Sequence, residues 1–184
     1  MANMTKESPL KGMNMGDAST VAMRELPGLS IIDLRVAPGS AAHSAVAEAL
    51  GVDLPANPGK MSGERSEVYS LCLAPDWWLI VGLPEAFHKV DSLRNDHHFS
   101  IVDVSGQRTT IELEGPNVRE VLAHLWEQDL REKNFPVAGV LQGLMAKAPV
   151  IVCHIAPNRF HVMVRSSFAL HVWNALADAS EEWR

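Results

Sequence analysis

The residues best placed for catalysis in this chain are Asp103 and Ser105, which follow an apolar segment and precede Gly106. One interpretation is part of a Ser-His-Asp site, whose members meet only in the folded protein. The other is a turn in which both side chains hydrogen-bond to backbone amides. The chain has no G-x-S-x-G nucleophile elbow. We therefore favour the turn and predict no catalytic residue.

The cysteines and histidines lack the spacing of a metal site. His97 and His98 are adjacent, as are Cys153 and His154, and neighbouring side chains on an extended backbone point to opposite faces. Cys72 and Cys153 lie in apolar segments, so we predict buried thiols in a reducing, cytoplasmic environment rather than a disulfide. The sequence therefore predicts no metal ligands.

Nucleotide-binding loops are also missing, because the sequence has neither G-x-G-x-x-G nor the P-loop pattern. We predict no cofactor-binding residue in this chain. The formal net charge is −6 over 184 residues, and no run of five basic residues occurs. This disfavours nucleic acid or an anionic membrane as a partner. Apolar segments such as 77–83 are too short to span a bilayer.

The segment from Thr109 to Leu125 shows which elements position these groups. Residues 109–114 alternate, with Glu112 and Glu114 on the polar side, which predicts a half-buried strand. Gly115-Pro116 ends this strand, and apolar residues at helical spacing follow as far as Leu125. The predicted unit is a strand, a turn and an amphipathic helix.

A hairpin pattern occurs twice in the chain. Leu73-Ala74-Pro75-Asp76 is matched 82 positions later by Ile155-Ala156-Pro157-Asn158. Each copy follows an apolar segment and precedes a predicted strand and helix. Two interpretations remain open: a tandem pseudo-repeat of strand–helix–strand–strand–helix units, or a chance likeness of two short turns.

A tandem repeat predicts an α+β fold with a mostly antiparallel sheet, packed helices and two ferredoxin-like halves. We assign the halves to residues 21–98 and 99–180 of one domain that covers 21–184. Residues 1–20 show no hydrophobic period, and we predict a flexible arm there. Further helices are predicted over 42–50, with a cap at Ser40 and an end at Gly51, over 84–95, within 126–136, and after a cap formed by Ser166 and Ser167.

The five tryptophans indicate docking rather than chemistry. Trp77 and Trp78 are neighbours on a predicted strand, so one should face the core and the other the opposite side. One interpretation is core packing and the cover of a sheet edge. The other is an interface anchor, a role in which tryptophan is enriched, with Trp183 as a second candidate.

Short motifs follow one another in an order that resembles a known family. The broader set is Asp103-Val104-Ser105, Glu114-Gly115-Pro116, Val121-Leu122, Asp129-Leu130 and Phe135. The narrower set is residues 73–81, residues 144–150, and Arg165-Ser166-Ser167-Phe168 with Trp173. The chain resembles the first folate-binding-type domain of the glycine-cleavage T-protein (aminomethyltransferase) superfamily. Within that superfamily it resembles the gamma subunits of heterotetrameric sarcosine oxidase.

The resemblance implies a subunit of a complex that oxidises sarcosine to glycine, with formaldehyde or methylene-tetrahydrofolate and hydrogen peroxide as the other products. It implies that alpha, beta and delta subunits are the partners, and that FAD, FMN, NAD and tetrahydrofolate are bound by those chains. Where T-proteins have an acidic stretch, residues 147–153 contain no carboxylate. The resemblance therefore implies no folate site in this chain.

Three hypotheses follow from these observations. The first, which we adopt, is a non-catalytic accessory subunit of the oxidase. The second is a stand-alone folate-binding or aminomethyltransferase-like protein, and the third is a structural domain with an unrelated partner.

Overall fold

The computed structural model describes residues 7–64, 68–82 and 84–183. In these residues the strands are β1 (Asn14–Asp17), β2 (Val21–Glu25), β3 (Ser30–Arg35), β4 (Met61–Gly63), β5 (Tyr69–Ala74), β6 (Trp77–Gly82), β7 (Ser100–Asp103), β8 (Arg108–Glu114), β9 (Val140–Met145), β10 (Ala148–Ala156) and β11 (Arg159–Arg165). The α-helices are α1 (Ala41–Leu50), α2 (Glu85–Asp91), α3 (Val118–Leu125) and α4 (Ala169–Ala179). Of these described helices, none has the length and apolar character needed to cross a membrane.

The strands form two antiparallel sheets that pack face to face. One sheet has six strands in the order β1-β2-β8-β11-β10-β9, and the other has five in the order β4-β5-β6-β3-β7. One core lies between the six-stranded sheet and α3 and α4. A second core lies between the five-stranded sheet and α1 and α2, and a third lies between the sheets. The fold is thus an α+β sandwich of four layers, helix–sheet–sheet–helix.

The two sheets repeat one topology. The order β3-α1-β4-β5-β6-α2 corresponds to β8-α3-β9-β10-β11-α4, and the strands take equivalent places in their sheets. Both hairpins carry a bulge, at Cys72/Ala74 and at His154/Ala156, which are 82 positions apart. The tandem pseudo-repeat predicted from the turns is therefore present in the whole topology.

Matched backbone hydrogen bonds join the two sheets at their edges. Lys60 and Gly139 form an antiparallel bridge. Beside it, the N–H of Met61 donates to the carbonyl of Ala138 at 3.0 Å, and the N–H of Val140 donates to the carbonyl of Gly59 at 2.8 Å, so both bonds cross between the sheets. Within the repeats, the N–H of Cys72 donates to the carbonyl of Lys60 at 2.9 Å, and the N–H of His154 donates to the carbonyl of Gly139 at 3.0 Å. Because Cys72 and His154 are equivalent bulge positions, the bridge lies close to a pseudo-two-fold axis between the repeats.

The boundary between the repeats differs from the predicted division at residues 98 and 99. Strand β2, from the predicted first half, pairs with β8 in the six-stranded sheet. Strand β7, from the predicted second half, pairs with β3 in the five-stranded sheet. The predicted first half thus supplies β2, which lies beside β8, and the predicted second half supplies β7, which lies beside β3. Local patterning could not show this, because strand pairing is a long-range contact.

The N-terminal segment also differs from the predicted arm over residues 1–20. Strand β1 pairs with β2 from Asn14↔Arg24 to Asp17↔Val21. Leu10 is completely buried in the core beneath α3 and α4. The alternation in this segment is too short to give a period, so the sequence prediction missed it. Residues 1–6 of the predicted arm lie outside the described residues.

Three predicted helix features are wrong in detail. Helix α2 covers seven residues rather than 84–95, and residues 126–136 contain turns instead of a helix. Helix α4 begins at Ala169 after a 3-10 turn over Ser166–Phe168, without a side-chain cap. Helix α1 is as predicted: Ser40 Oγ accepts a hydrogen bond from His43 N–H, and Gly51 ends the helix at φ 67°.

Candidate functional site

The predicted polar pair of Asp103 and Ser105 forms a turn that joins β7 to β3. Asp103 Oδ1 accepts a hydrogen bond from Ser105 N–H at 2.9 Å and another from its hydroxyl at 2.5 Å. Ser105 Oγ in turn accepts from Ile31 N–H at 2.9 Å. The predicted structural role in a turn is confirmed, because the hydroxyl is engaged on both sides.

An open cleft of about 600 Å³ lies beside this turn. Asp103, Ser105, Arg108 and Thr110 are among its lining residues. The Thr110 hydroxyl is buried and has no hydrogen-bond partner within the described ranges. The cleft is therefore polar, but Asp103 and Ser105 are held by each other and by backbone N–H groups of the turn.

The structure separates the cysteines and histidines that the sequence singled out. Cys72 and Cys153 are buried cysteines that are not joined in a disulfide, as predicted, and burial raises the pKa of Cys72. Cys153 faces the core between the sheets, whereas His154 stacks on Phe160, with 4.5 Å between the ring centroids. Across the described part of the chain, no three His, Cys, Asp or Glu side chains converge as metal ligands would.

A different group of polar residues converges between the two sheets. Glu112 on β8 and His161 on β11 are opposite each other in the six-stranded sheet. His161 Nε2 lies 3.1 Å from Glu112 Oε2, and its Nδ1 lies 3.4 Å from the hydroxyl of Tyr69, which comes from the five-stranded sheet. With Nε2–H donating to Glu112, Nδ1 accepts from Tyr69. The three side chains tie one sheet to the other.

Two arginines complete the surroundings of Glu112. Arg24 on β2 binds Glu112 Oε1, with its Nε at 2.7 Å and its Nη2 at 2.6 Å. Arg159 Nε lies 4.0 Å from Glu112 Oε2, and Arg159 also binds Glu114 at 2.5 Å. Both oxygens of the buried carboxylate are therefore held by cationic or hydrogen-bonding groups.

Burial by itself raises the pKa of the Glu112 carboxyl. Hydrogen bonds from His161 and Arg24, together with the positive charge of Arg24, outweigh this and lower the pKa from the ordinary 4.5 to about 2. Glu112 is thus an anion at neutral pH, and a poor proton acceptor for catalysis. These side chains are suited to stabilising the packing of the two sheets rather than to transferring protons.

The alternation in β8 predicts that Glu112 lies on the solvent-facing side of a half-buried strand, and this prediction is wrong. Only 5% of Glu112 is exposed, because the five-stranded sheet covers that face. The signal that could have found the site is the cross-strand register, which aligns Arg24, Glu112 and His161 in one row. That register requires knowledge of the pairing of β2 with β8.

The tryptophans are engaged within the chain rather than exposed. Trp78 is completely buried, and its Nε1–H donates to the carbonyl of Pro55 at 3.0 Å. Trp77 is half-buried; its Nε1–H donates to Asp33 Oδ2 at 3.0 Å, and Arg35 lies 4.4 Å above its ring. The opposite orientation of the two side chains is confirmed, and the contacts of this pair fit the interpretation of core packing and a covered sheet edge. The role of Trp77 as an interface anchor stays a prediction. Trp183 is also half-buried, with its ring centroid 5.6 Å from that of His124.

Comparison with known proteins agrees with this fold. A model of the sarcosine oxidase, gamma subunit family matches residues 35–182. The chain belongs to this family. The gamma subunit of sarcosine oxidase from Corynebacterium sp. (strain U-96) is 30% identical over 165 residues, which cover 89% of this chain and 80% of the relative. The gamma subunit from Arthrobacter sp. is 31% identical over 170 residues, with coverages of 90% and 83%.

Solved structures show the same relationship for this gamma subunit family member. A chain of the heterotetrameric sarcosine oxidase from Corynebacterium sp. U-96, in complex with pyrrole 2-carboxylate, matches with a TM-score of 0.89 at 28% identity. The match covers 96% of this chain and 95% of that chain. The glycine cleavage system aminomethyltransferase T from Bartonella henselae matches with a TM-score of 0.64 at 15% identity, over 86% of this chain and 45% of that chain. The second match shows that the T-protein type of fold is shared.

The stretch that is acidic in T-proteins does not fit folate binding in this family member. Residues 147–153 contain no carboxylate. Lys147 stands at the tip of the β9–β10 hairpin, exposed, and residues 150–153 are buried in the sheet. A folate ring would find neither an acidic partner nor an open face there.

Proposed function

We propose that this chain is the non-catalytic gamma subunit of a heterotetrameric sarcosine oxidase. The complex would oxidise sarcosine to glycine with oxygen as the acceptor, and release hydrogen peroxide and either formaldehyde or methylene-tetrahydrofolate. Alpha, beta and delta subunits would bind FAD, FMN, NAD and tetrahydrofolate. The reducing environment predicted for the two buried, free cysteines supports a cytoplasmic location.

The non-catalytic role is supported by the contacts of Glu112 and His161, because protein groups already occupy their hydrogen-bonding atoms. His161 uses both ring nitrogens, one with Glu112 and one with Tyr69. The cleft beside this group, about 340 Å³, is lined on its other side by apolar residues that include Leu26, Leu29 and Ile155. A general base needs an available lone pair towards substrate, and here the candidate lone pairs point at protein groups.

A direct test is to assemble the heterotetramer with variants of the two polar groups. His161→Gln and Asp103→Asn would be co-expressed with the other three subunits. If the gamma subunit is not catalytic, kcat per assembled complex stays at the wild-type value for sarcosine oxidation. A fall in kcat of tenfold or more in fully assembled complexes would contradict the proposal.

Complex formation itself is tested by omission of this chain. Purification through a tag on a large subunit should recover this chain in equal amount to the others. If the large subunits assemble and work equally well without it and never retain it, the proposal fails.

The rival function is a stand-alone folate-binding protein, which the shared T-protein type of fold and the cleft of about 600 Å³ would suit. Asp103 could face a pterin from there, but its Oδ1 already accepts two hydrogen bonds from Ser105. Calorimetric titration of the chain with tetrahydrofolate should therefore give no binding heat. Saturable heat that Asp103→Asn abolishes would favour the rival.

A further inference from the structure

A row of four side chains crosses the inner face of the six-stranded sheet at one end. Leu144 on β9 is opposite Pro149 on β10, and Arg165 on β11 is opposite Arg108 on β8. Pro149 and Arg165 directly adjoin the paired residues Val150 and Val164. We call Leu144, Pro149, Arg165 and Arg108 the end row.

The five-stranded sheet covers the next positions of this face but leaves the end row accessible. Ile151 and Met163, two residues further along β10 and β11, are buried in the core between the sheets. Leu144, in contrast, is 63% exposed. Pro149 and Arg165 are also exposed, and Arg108 is half-buried.

Within the described part of the chain, Arg165 has no carboxylate partner, and Arg108 is attracted by Asp33 without a close ion pair. Neither forms an ion pair there, although most other arginines of the sheets do. Like charges directly opposite each other on neighbouring strands are destabilising. Burial lowers the pKa of Arg108, the Arg165 charge lowers it further, and Asp33 opposes this effect. Asp33 itself accepts a hydrogen bond from Trp77.

A third cation flanks the apolar end of the row. Lys147 is exposed in the turn between β9 and β10 and has no ion pair among the described residues. The whole chain has a formal net charge of −6. Arg165 and Lys147, two exposed cations without an ion pair in the described residues, therefore lie beside an exposed leucine, contrary to the charge of the molecule, and together they suit an external anionic group.

We propose that the end row is a docking site for another subunit of the same oxidase, which presents carboxylates next to apolar side chains. Arginine binds carboxylates in a bidentate manner and is enriched at interface hot spots, and an exposed leucine beside it provides the apolar part of the contact. A second copy of this chain is a poorer occupant, because two chains of net charge −6 repel each other. This inference depends on the proposed function and names the surface through which it acts.

The test is binding of full-length variants to the co-expressed partner subunits. Arg165→Glu and Leu144→Asp should each weaken the association by about tenfold or more. Lys133→Glu, an exposed lysine without an ion pair, and Val102→Asp, an exposed valine on the edge strand β7, are the matched controls and should bind like wild type. Thermal unfolding of each chain confirms that the variants are folded.

Salt provides a second readout. Binding of the wild type should weaken as salt rises from about 50 to 500 mM, whereas Arg165→Glu should lose much of this dependence, because the ion pair is already absent. A charge swap, in which carboxylates of the partner are replaced by lysine, should restore binding to Arg165→Glu.

The outcomes separate this inference from the proposed function. If wild type binds the partner subunits and the end-row variants bind equally well, the docking site is wrong and the function stands. If wild type does not bind them, both fail. If the isolated chain dimerises and Arg165→Glu dissolves the dimer, the row is a contact between copies and the inference is overturned.

Discussion

His161 donates from Nε2 to Glu112 Oε2 across 3.1 Å, and both side chains are almost completely buried between the two sheets. Arg24 holds the other carboxylate oxygen, and Tyr69 of the opposite sheet adds its hydroxyl to His161. The contacts therefore join four strands, β2, β8, β11 and β5, and both sheets. They make the interior between the repeats polar at one end and apolar over the rest.

Removal of the Glu112 charge should destabilise the protein. Glu112→Gln keeps the shape but leaves His161 and Arg24 without an anion, at an expected cost of about 2–4 kcal/mol in the free energy of unfolding. Glu114→Gln, on the same strand with a side chain 36% exposed, is the control and should cost below about 1 kcal/mol. Urea unfolding of both variants gives the comparison. Equal losses would mean that the buried contact adds nothing beyond a surface ion pair.

The stability should depend on acid pH through the same carboxyl. Its pKa is about 2 in the folded protein and 4.5 ordinarily, so the unfolded chain binds the proton first as pH falls. The stabilisation from Glu112 is therefore complete above pH 4.5 and is lost as pH falls towards 2. Wild type should lose stability over this window more steeply than Glu112→Gln. If the free energy of unfolding of wild type and of Glu112→Gln falls equally with pH, the folded protein does not hold this carboxyl in its ionised form.

Leucine-to-alanine changes at two sites test whether the N-terminal segment is part of the core. Leu10 is completely buried beneath the helices, whereas Leu144 is 63% exposed. Leu10→Ala should cost about 2–5 kcal/mol, and Leu144→Ala should be close to neutral. Thermal unfolding measures both. If Leu10→Ala leaves the free energy of unfolding unchanged, the N-terminal segment is a flexible arm and the observed packing is contradicted.

The β9–β10 hairpin should accept a stabilising change. Its two turn residues, Ala146 and Lys147, have φ values of 46° and 69°, a conformation that costs a residue with a Cβ about 1 kcal/mol and costs glycine almost nothing. Lys147→Gly should therefore raise the free energy of unfolding by up to about 1 kcal/mol. Asn158→Gly, in the β10–β11 turn and outside the positive-φ positions, is the control and should not stabilise. If both changes destabilise, the turn is not of this type in solution.

Much of the local structure was accessible from the sequence. The caps of α1 at Ser40 and Gly51 and the Asp103–Ser105 turn depend on residues a few positions apart, and both were predicted. The two related hairpins, at residues 73–76 and 155–158, were also visible as a repeat. The exchange of β2 and β7 between the repeats was not visible, because strands whose paired residues are 65–92 positions apart leave no periodic trace in the sequence.

By itself the sequence determined the α+β class, the repeated hairpin, the buried thiols and the family resemblance, since each of these is written in residue order, spacing or composition. The tertiary structure alone decided which faces of the strands meet water. Residue alternation marks two faces of a strand but cannot say what covers the polar one. The second sheet covers it at Glu112 and leaves it open at Leu144 and Arg165. The extent to which one repeat overlaps the other therefore decides both features: the buried contacts of Glu112 between the sheets and the exposed end row.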